Sequence, residues 1–237
     1  MLKKFIYAEG QKFHALRNIE LKYILRYLQP KKGEKILDVG CGKGYFCGIL
    51  NSKGCICFGI DSSNKDIEIA SKYQNKEIKF SIASAEKLPF KRSYFDKVVS
   101  VCVLEHVNDE IKALSEINRV LKKGDTFVAS LDALSPIYYS ERYRKFYAKE
   151  FKVNQFYDIQ RVMKIFHKTG FKVISYRYVF SGIISSFLIK IFSYLHFRNF
   201  FILSFPIIYP LFYLENRFFN NVNGGFILII KSIKYKD

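Results

Sequence analysis

The segment KILDVGCGKGYF, residues 35–46, narrows the possible folds more than any other part of this chain. An apolar strand (Ile36, Leu37, Val39) runs into a loop with Gly40, Gly42 and Gly44, and a helix pattern starts at once. Glycine at alternate positions lets a backbone turn sharply and lets a ligand approach it closely. The dinucleotide fingerprint G-x-G-x-x-G would put its third glycine at position 45, where this chain has Tyr45. Asp38 precedes the loop; an acid there repels a pyrophosphate and suits a ligand that carries an ammonium group.

The order of patterns around this loop is regular. Strands read at 35–39, 55–61 (CICFGID), 77–83 (EIKFSIA), 95–103 (FDKVVSVCV) and 125–131 (DTFVASL). Helices read at 11–29, 43–52, 64–73 and 108–121, the last ended by Gly124. After the fifth strand come a Tyr- and Arg-rich stretch, a helix in YDIQRVMKIFHKTG, a sixth strand FKVISYRYV and a last strand GGFILIIKSIK at 224–234. Continuous apolar strands alternating with helices predict a doubly wound parallel sheet with both faces covered. The expectation is one domain over 1–237, with an apolar helical insertion at 181–215 between the last two strands.

Asp61 ends the second strand about twenty residues past the loop, where a carboxylate accepts hydrogen bonds from both ribose hydroxyls of a nucleoside. As a plain helix cap, Asp61-Ser62-Ser63 would serve too. The five cysteines lie in the first half at spacings that form no disulfide framework, which predicts a reducing compartment. Cys55 and Cys57 read as small buried sheet residues, and no metal ligands are predicted. The chain carries a net charge of +18, weighted toward its C-terminal part, with 24 Phe and 17 Tyr. Such a surface attracts nucleic acid, anionic lipid or acidic substrates; an A/T-rich coding sequence produces the same bias.

Two further blocks carry a resemblance. SIASAEKLPFKRSYFDKVVSV (81–101) and VCVLEHVNDEIKALSEINRVLKKGD (101–125) follow the "D-A-E-x-L-P-F…F-D-x-V" and "L-E-H-V-x-D…R-V-L-K-x-G-G" patterns. With the D-x-G-x-G-x-G loop, the chain resembles the class I S-adenosylmethionine (SAM) dependent methyltransferases, of the methyltransferase-11 or UbiE/UbiG-like type. The resemblance implies a Rossmann-like seven-stranded sheet with antiparallel last strands. It also implies S-adenosyl-L-methionine as cofactor, held by Asp38, Gly40, Cys41, Gly42, Gly44, Asp61, Ser62, Ser84, Ala85, Glu86 and Cys102. Asp38 would serve the ammonium end and residues 84–86 the adenine. Ser84 stands where an acid is usual, and Asp125 replaces a glycine.

His106 falls just past the fourth strand, where a neutral imidazole can take a proton from an acceptor hydroxyl; a loop-shaping role is the alternative. Methyl transfer from a sulfonium needs mainly alignment and water exclusion, so no catalytic triad is expected. Tyr138, Tyr139, Arg142 and Tyr143 are candidates for acceptor binding, or else surface residues of a helix. The segment 181–214 holds two formal charges, Lys190 and Arg198, and its longest charge-free run, 199–214, is too short to span a bilayer. It reads as a helical hairpin at a membrane interface, or as a lid or dimer contact, opening on the cofactor edge of the sheet. The expected acceptor is a small or lipid-linked molecule methylated on oxygen, in the cytoplasm or peripherally on the inner face of an anionic membrane. The rival readings are an RNA or protein methyltransferase and a non-catalytic SAM-binding protein. Nucleic acid is disfavoured because SVCVLEH stands where base-amino methylating enzymes carry Asp/Asn-Pro-Pro-Tyr/Phe.

Overall fold

The computed structural model describes residues 15–195, 210–215 and 223–236. In chain order the elements are α1 (Ala15–Leu28), β1 (Lys35–Val39), α2 (Tyr45–Ser52), β2 (Ile56–Asp61), α3 (Asn64–Ser71), β3 (Ile78–Ile82) and β4 (Phe95–Val101). They continue as α4 (Glu110–Val120), β5 (Leu121–Asp132), α5 (Glu141–Phe151), α6 (Ile159–Lys168), β6 (Phe171–Val179), α7 (Ile183–Leu195) and β7 (Ile227–Lys234). A short helical segment at 210–215 lies between α7 and β7.

The strands form one sheet in the order β3-β2-β1-β4-β5-β7-β6. Pairings from β3 through β5 are parallel, and β7 runs antiparallel to both β5 and β6. Strand order reverses between β1 and β4, which makes their carboxyl ends a switch point where a crevice opens. Because β6 runs the same way as β4 and β5, the β6–β7 connection leaves the sheet at that same edge.

Side chains alternate across the pleat into two cores. Ile36, Cys57, Val99, Val128 and Ile229 point into one, with α1, α2, α5, α7 and Phe212. Leu37, Phe58, Val98, Phe127 and Leu228 point into the other, against α4 and α6. Both faces are therefore apolar, as the unbroken strand runs require; each fully buried Leu, Ile, Val or Phe contributes about 1.5–3 kcal/mol. Helix starts are capped as their sequences allow: Ser63, Asp109, Ser140 and Asp158 each accept from the backbone N–H three residues on.

Two boundaries differ from the sequence reading. Strand β4 stops at Val101, because Cys102 turns into the left-handed region (φ 52) and takes the chain out of the sheet. Helix α4 ends at Val120, not at Gly124. Leu121 already pairs with Phe95, and the left-handed Gly124 (φ 84) falls within a register shift of β5. Arg119 holds this end, donating to Phe90 O, Leu88 O and both oxygens of Glu116. The first part of the helix expected over 11–29, and much of the hairpin expected over 181–214, lie outside the described residues.

Candidate functional site

The glycine loop is tied to the end of β2. The N–H groups of Gly40 and Cys41 both donate to Ile60 O (2.8 and 2.9 Å), and Gly42 N–H donates to Asp61 Oδ2 at 2.8 Å. Its three glycines are left-handed for different reasons. A Cβ on Gly40 would sit 2.2 Å from Val103 Cγ2, and one on Gly44 2.5 Å from Phe80 Cζ. A Cβ on Gly42 would meet nothing within 4 Å, so its missing side chain keeps open a space beside the loop.

A cleft of about 390 Å³ begins at this loop. Its lining includes Gly40, Asp61, Ser62, Ser84, Ala85, Glu86, Cys102 and His106, all selected from the sequence. Asp61 Oδ1 accepts from Ser63 N–H (2.9 Å) and Oδ2 from Gly42 N–H, which leaves lone pairs on both oxygens for a diol. Ser84 Oγ accepts from Glu86 N–H (3.1 Å) and keeps its own proton to donate. Glu86 Oε1 accepts from Asn108 and Asp109 N–H (3.0 and 3.2 Å), joining the two rims of the cleft.

Asp38, Cys41, Gly42 and Gly44 do not line the cleft itself. Asp38 is buried behind the loop, and burial pushes its carboxyl up to about 7; the thiol of Cys47, donating to Oδ2 at 3.5 Å, opposes the shift and the charge of Asp61 adds to it. A cation arriving there would draw it back to the ionised form. The open space at Gly42, the spare lone pairs of Asp61 and this acid together fit a nucleoside with a methionine tail.

His106 is exposed at the cleft, and its Nδ1 lies 3.0 Å from Lys152 O. A carbonyl only accepts, so the proton sits on Nδ1 and Nε2 is left as the basic nitrogen. A strap at 152–157 holds this segment from outside. Asn154 donates to the carbonyls of His106 and Val107, while Gln155 Nε2 and the Tyr157 hydroxyl both donate to Leu104 O. Sequence reasoning missed the strap, since nothing in NQFY announces a partner fifty residues away.

The four acceptor candidates fall elsewhere. None of them lines the cleft. Tyr139 and Tyr143 are fully buried, stacked at 5.4 Å, and Tyr143 donates its hydroxyl to Ser193 Oγ of α7 at 3.0 Å. Tyr139, Tyr143 and Tyr147 recur every four residues and so share one face, which packs on Phe226. Tyr138 is half-buried and Arg142 is exposed on the outer side of α5.

Behind the cleft lies a buried polar cluster that the sequence did not announce as a group. Arg17 Nη1 donates to Glu20 Oε2 (2.8 Å) and Cys102 Sγ (3.4 Å), and Cys102 Sγ donates to Glu20 Oε1 (3.3 Å). Glu105 Oε1 accepts from Asp132 N–H at 3.3 Å. Burial and the charge of Asp132 push the Glu105 carboxyl up, burial and the charge of Glu20 push that of Asp132 up, and burial pushes the Cys102 thiol up.

The model of the "Methyltransferase domain" family matches residues 37–129, from β1 into β5. A ubiquinone biosynthesis O-methyltransferase of Pelagibacter ubique is 37% identical over 108 residues, 44% of this chain and 45% of that protein. An O-methyltransferase of Aspergillus nomiae is 34% identical over 158 residues, 63% of this chain and 69% of that protein. The chain spans about half the length of several curated relatives it matches. Among solved structures, geranyl diphosphate methyltransferase in complex with SAM superposes with a TM-score of 0.70 at 15% identity, over 91% of this chain and 84% of that one. YcgJ of Bacillus subtilis superposes with a TM-score of 0.65 at 18% identity, over 93% of this chain and all of that one. Loop, cleft and relatives agree on S-adenosyl-L-methionine as the cofactor. The chain belongs to the class I SAM-dependent methyltransferases, of the methyltransferase-11 type.

Proposed function

We propose that this protein transfers the methyl group of SAM to an oxygen of a small or lipid-linked acceptor. The bound cofactor supplies an activated methyl on a sulfonium, and the chain's own residues do the rest. Asp61 takes the ribose hydroxyls, residues 84–86 flank the adenine, and the loop from Gly40 to Gly44, with Asp38 behind it, receives the methionine end. The observation that carries the oxygen reading is His106 at the cleft with its Nδ1 3.0 Å from Lys152 O: a proton donated there leaves Nε2 to serve as the base. It accepts the acceptor's hydroxyl proton as the C–O bond forms, a role worth about 10²–10⁴ in rate.

The lipid-linked part rests on α7. This helix buries Ser185 (0% exposed) and Ser186 (5%) and turns outward Ile183 (81%), Ile184 and Phe187 (60%). Such inverted amphipathicity suits a surface lodged at a lipid interface. No helix of the described residues is long and apolar enough to cross a membrane, so the contact proposed is peripheral.

The test is incubation of the protein with deuteriomethyl-SAM and a lipid extract, read by mass spectrometry. Label on a hydroxyl, reduced about 100-fold or more in His106→Gln, is expected. Label on nucleic acid or protein instead would replace this reading with one of its rivals. SAM binding without turnover on any acceptor class would favour a non-catalytic role.

A further inference from the structure

The cluster behind the cleft has more acid than its neighbours compensate. Glu20, Glu105 and Asp132 are each at least nine-tenths buried, and Arg17 pairs with Glu20 at 2.8 Å. Arg17 makes its ion pair with Glu20 and reaches Asp132 only through its charge, and among the described residues neither Glu105 nor Asp132 has an ion pair of its own. Buried carboxylates at this density need a counter-charge.

Two observations indicate what supplies it. One ligand atom from each of Cys102, Glu105 and Asp132 lies within 4.8 Å of the others. Oε2 of Glu105, a fully buried side chain in that group, has no hydrogen-bond partner among the described residues. Native proteins rarely leave such an atom unsatisfied, and a bound ion is one of the standard reasons.

We infer that Cys102, Glu105 and Asp132 form a binding site for one divalent cation, of the borderline-soft, Zn²⁺-like class, at the carboxyl ends of β4 and β5. One thiolate and two carboxylates are a donor set that zinc accepts, with a fourth position left for water or a ligand oxygen. With its carboxylates ionised and the thiol protonated, the cluster holds three negative charges against one guanidinium, an excess of two; a divalent cation that binds the thiolate reduces it to one. Bonds of about 2.0–2.3 Å require the three donors to draw together by about 1 Å. The thiol proton leaves to solvent as the Cys102–metal bond forms. The position has a physical rationale in the backbone. The left-handed turn at Cys102 ends β4 at the cleft, while its thiol faces the cluster; Asp132 ends the neighbouring strand β5. The proposal is independent of which acceptor is methylated.

The experiment is titration of metal-stripped protein with Co²⁺, followed by the thiolate-to-cobalt charge-transfer absorption, with Zn²⁺ added in competition. One equivalent should bind, and Zn²⁺ should displace it. The band should vanish in Cys102→Ser and persist in Cys55→Ser. Affinity should fall at least about tenfold in Glu105→Gln and in Asp132→Asn, each checked for cooperative melting. If Cys102→Ser does not fold, the two carboxyl variants decide the matter alone. Absence of the band from folded wild-type protein would overturn the inference and leave protons as the counter-charge. So would a band that survives in folded Cys102→Ser, or unchanged affinity in both carboxyl variants.

Discussion

The half of the molecule that meets the cofactor and the half proposed to face the acceptor are built by opposite means. On the cofactor side the backbone does the work: three left-handed glycines, a pair of N–H groups on Ile60 O, and Asp61 holding the loop through Gly42. Few side chains are needed, and their spacing along the chain is fixed by strand and turn geometry. On the acceptor side the work is done by side chains. Tyrosines stack between α5 and α7, a strap clamps the His106 segment, and a helix exposes its apolar face. A backbone-built site tolerates wide sequence change at few positions; a packing-built one varies with each large residue.

The sharpest way to break this comparison is at the glycines. Gly40→Ala puts a Cβ 2.2 Å from Val103 at a φ of 75, and is expected to cost about 2–4 kcal/mol of stability as well as SAM binding. Gly42→Ala meets no protein atom at a φ of 50, so it should cost only about 1–2 kcal/mol while SAM binding still collapses. Thermal melts beside calorimetric titration with SAM separate the two; equal stability losses would show that Gly42 is a packing residue like Gly40.

Asp38 gives an effect of intermediate size. Its folded pKa, raised to about 7 by burial, means the ligand-free protein holds a proton that the unfolded chain gives up near pH 4. The stability contributed by this group is therefore present below about pH 4 and is lost as pH rises toward 7. If a bound ammonium prefers the carboxylate, SAM affinity should rise by up to about tenfold per pH unit over that window and level off above pH 7. In Asp38→Asn this slope should flatten. A wild-type affinity that is independent of pH would remove Asp38 from the cofactor site.

The acceptor half yields smaller numbers. Glu215 accepts from the N–H groups of Ile184 and Ser185, both at 3.0 Å, at the positive end of α7. Glu215→Gln should cost about 1–2 kcal/mol by chemical denaturation, and no cost would show that α7 is held by its tyrosine contacts alone. Phe187→Ser, on the exposed face, should change stability by less than about 0.5 kcal/mol yet reduce flotation with anionic liposomes. Unchanged flotation would sever α7 from the membrane.

This contrast also explains what could be read from the chain alone. Strand order, the switch point, and Gly40, Asp61, Ser84 and His106 at the cleft follow from spacings that backbone geometry fixes. The acceptor candidates did not, because Tyr139 and Tyr143 look alike as ligands or as core; only their four-residue repeat, continued by Tyr147, pointed inward. The Arg17–Glu20–Cys102–Glu105–Asp132 cluster was illegible for another reason. Its members come from α1, the β4 edge and the end of β5, and no local pattern links them.

Glu215 also has an evolutionary consequence. It stands at the far end of the insertion and caps the helix at the near end, and Gly182 leaves no room for a Cβ beside it. Glu215 thus ties residues 31 positions apart in the chain together near the end of β6. A closed loop of this kind can be lengthened, shortened or exchanged at about 0.6 kcal/mol per doubling of its length, with no strain passed to β6 or β7. Selection can rewrite that segment as an interchangeable part, while the machinery that holds SAM is inherited intact.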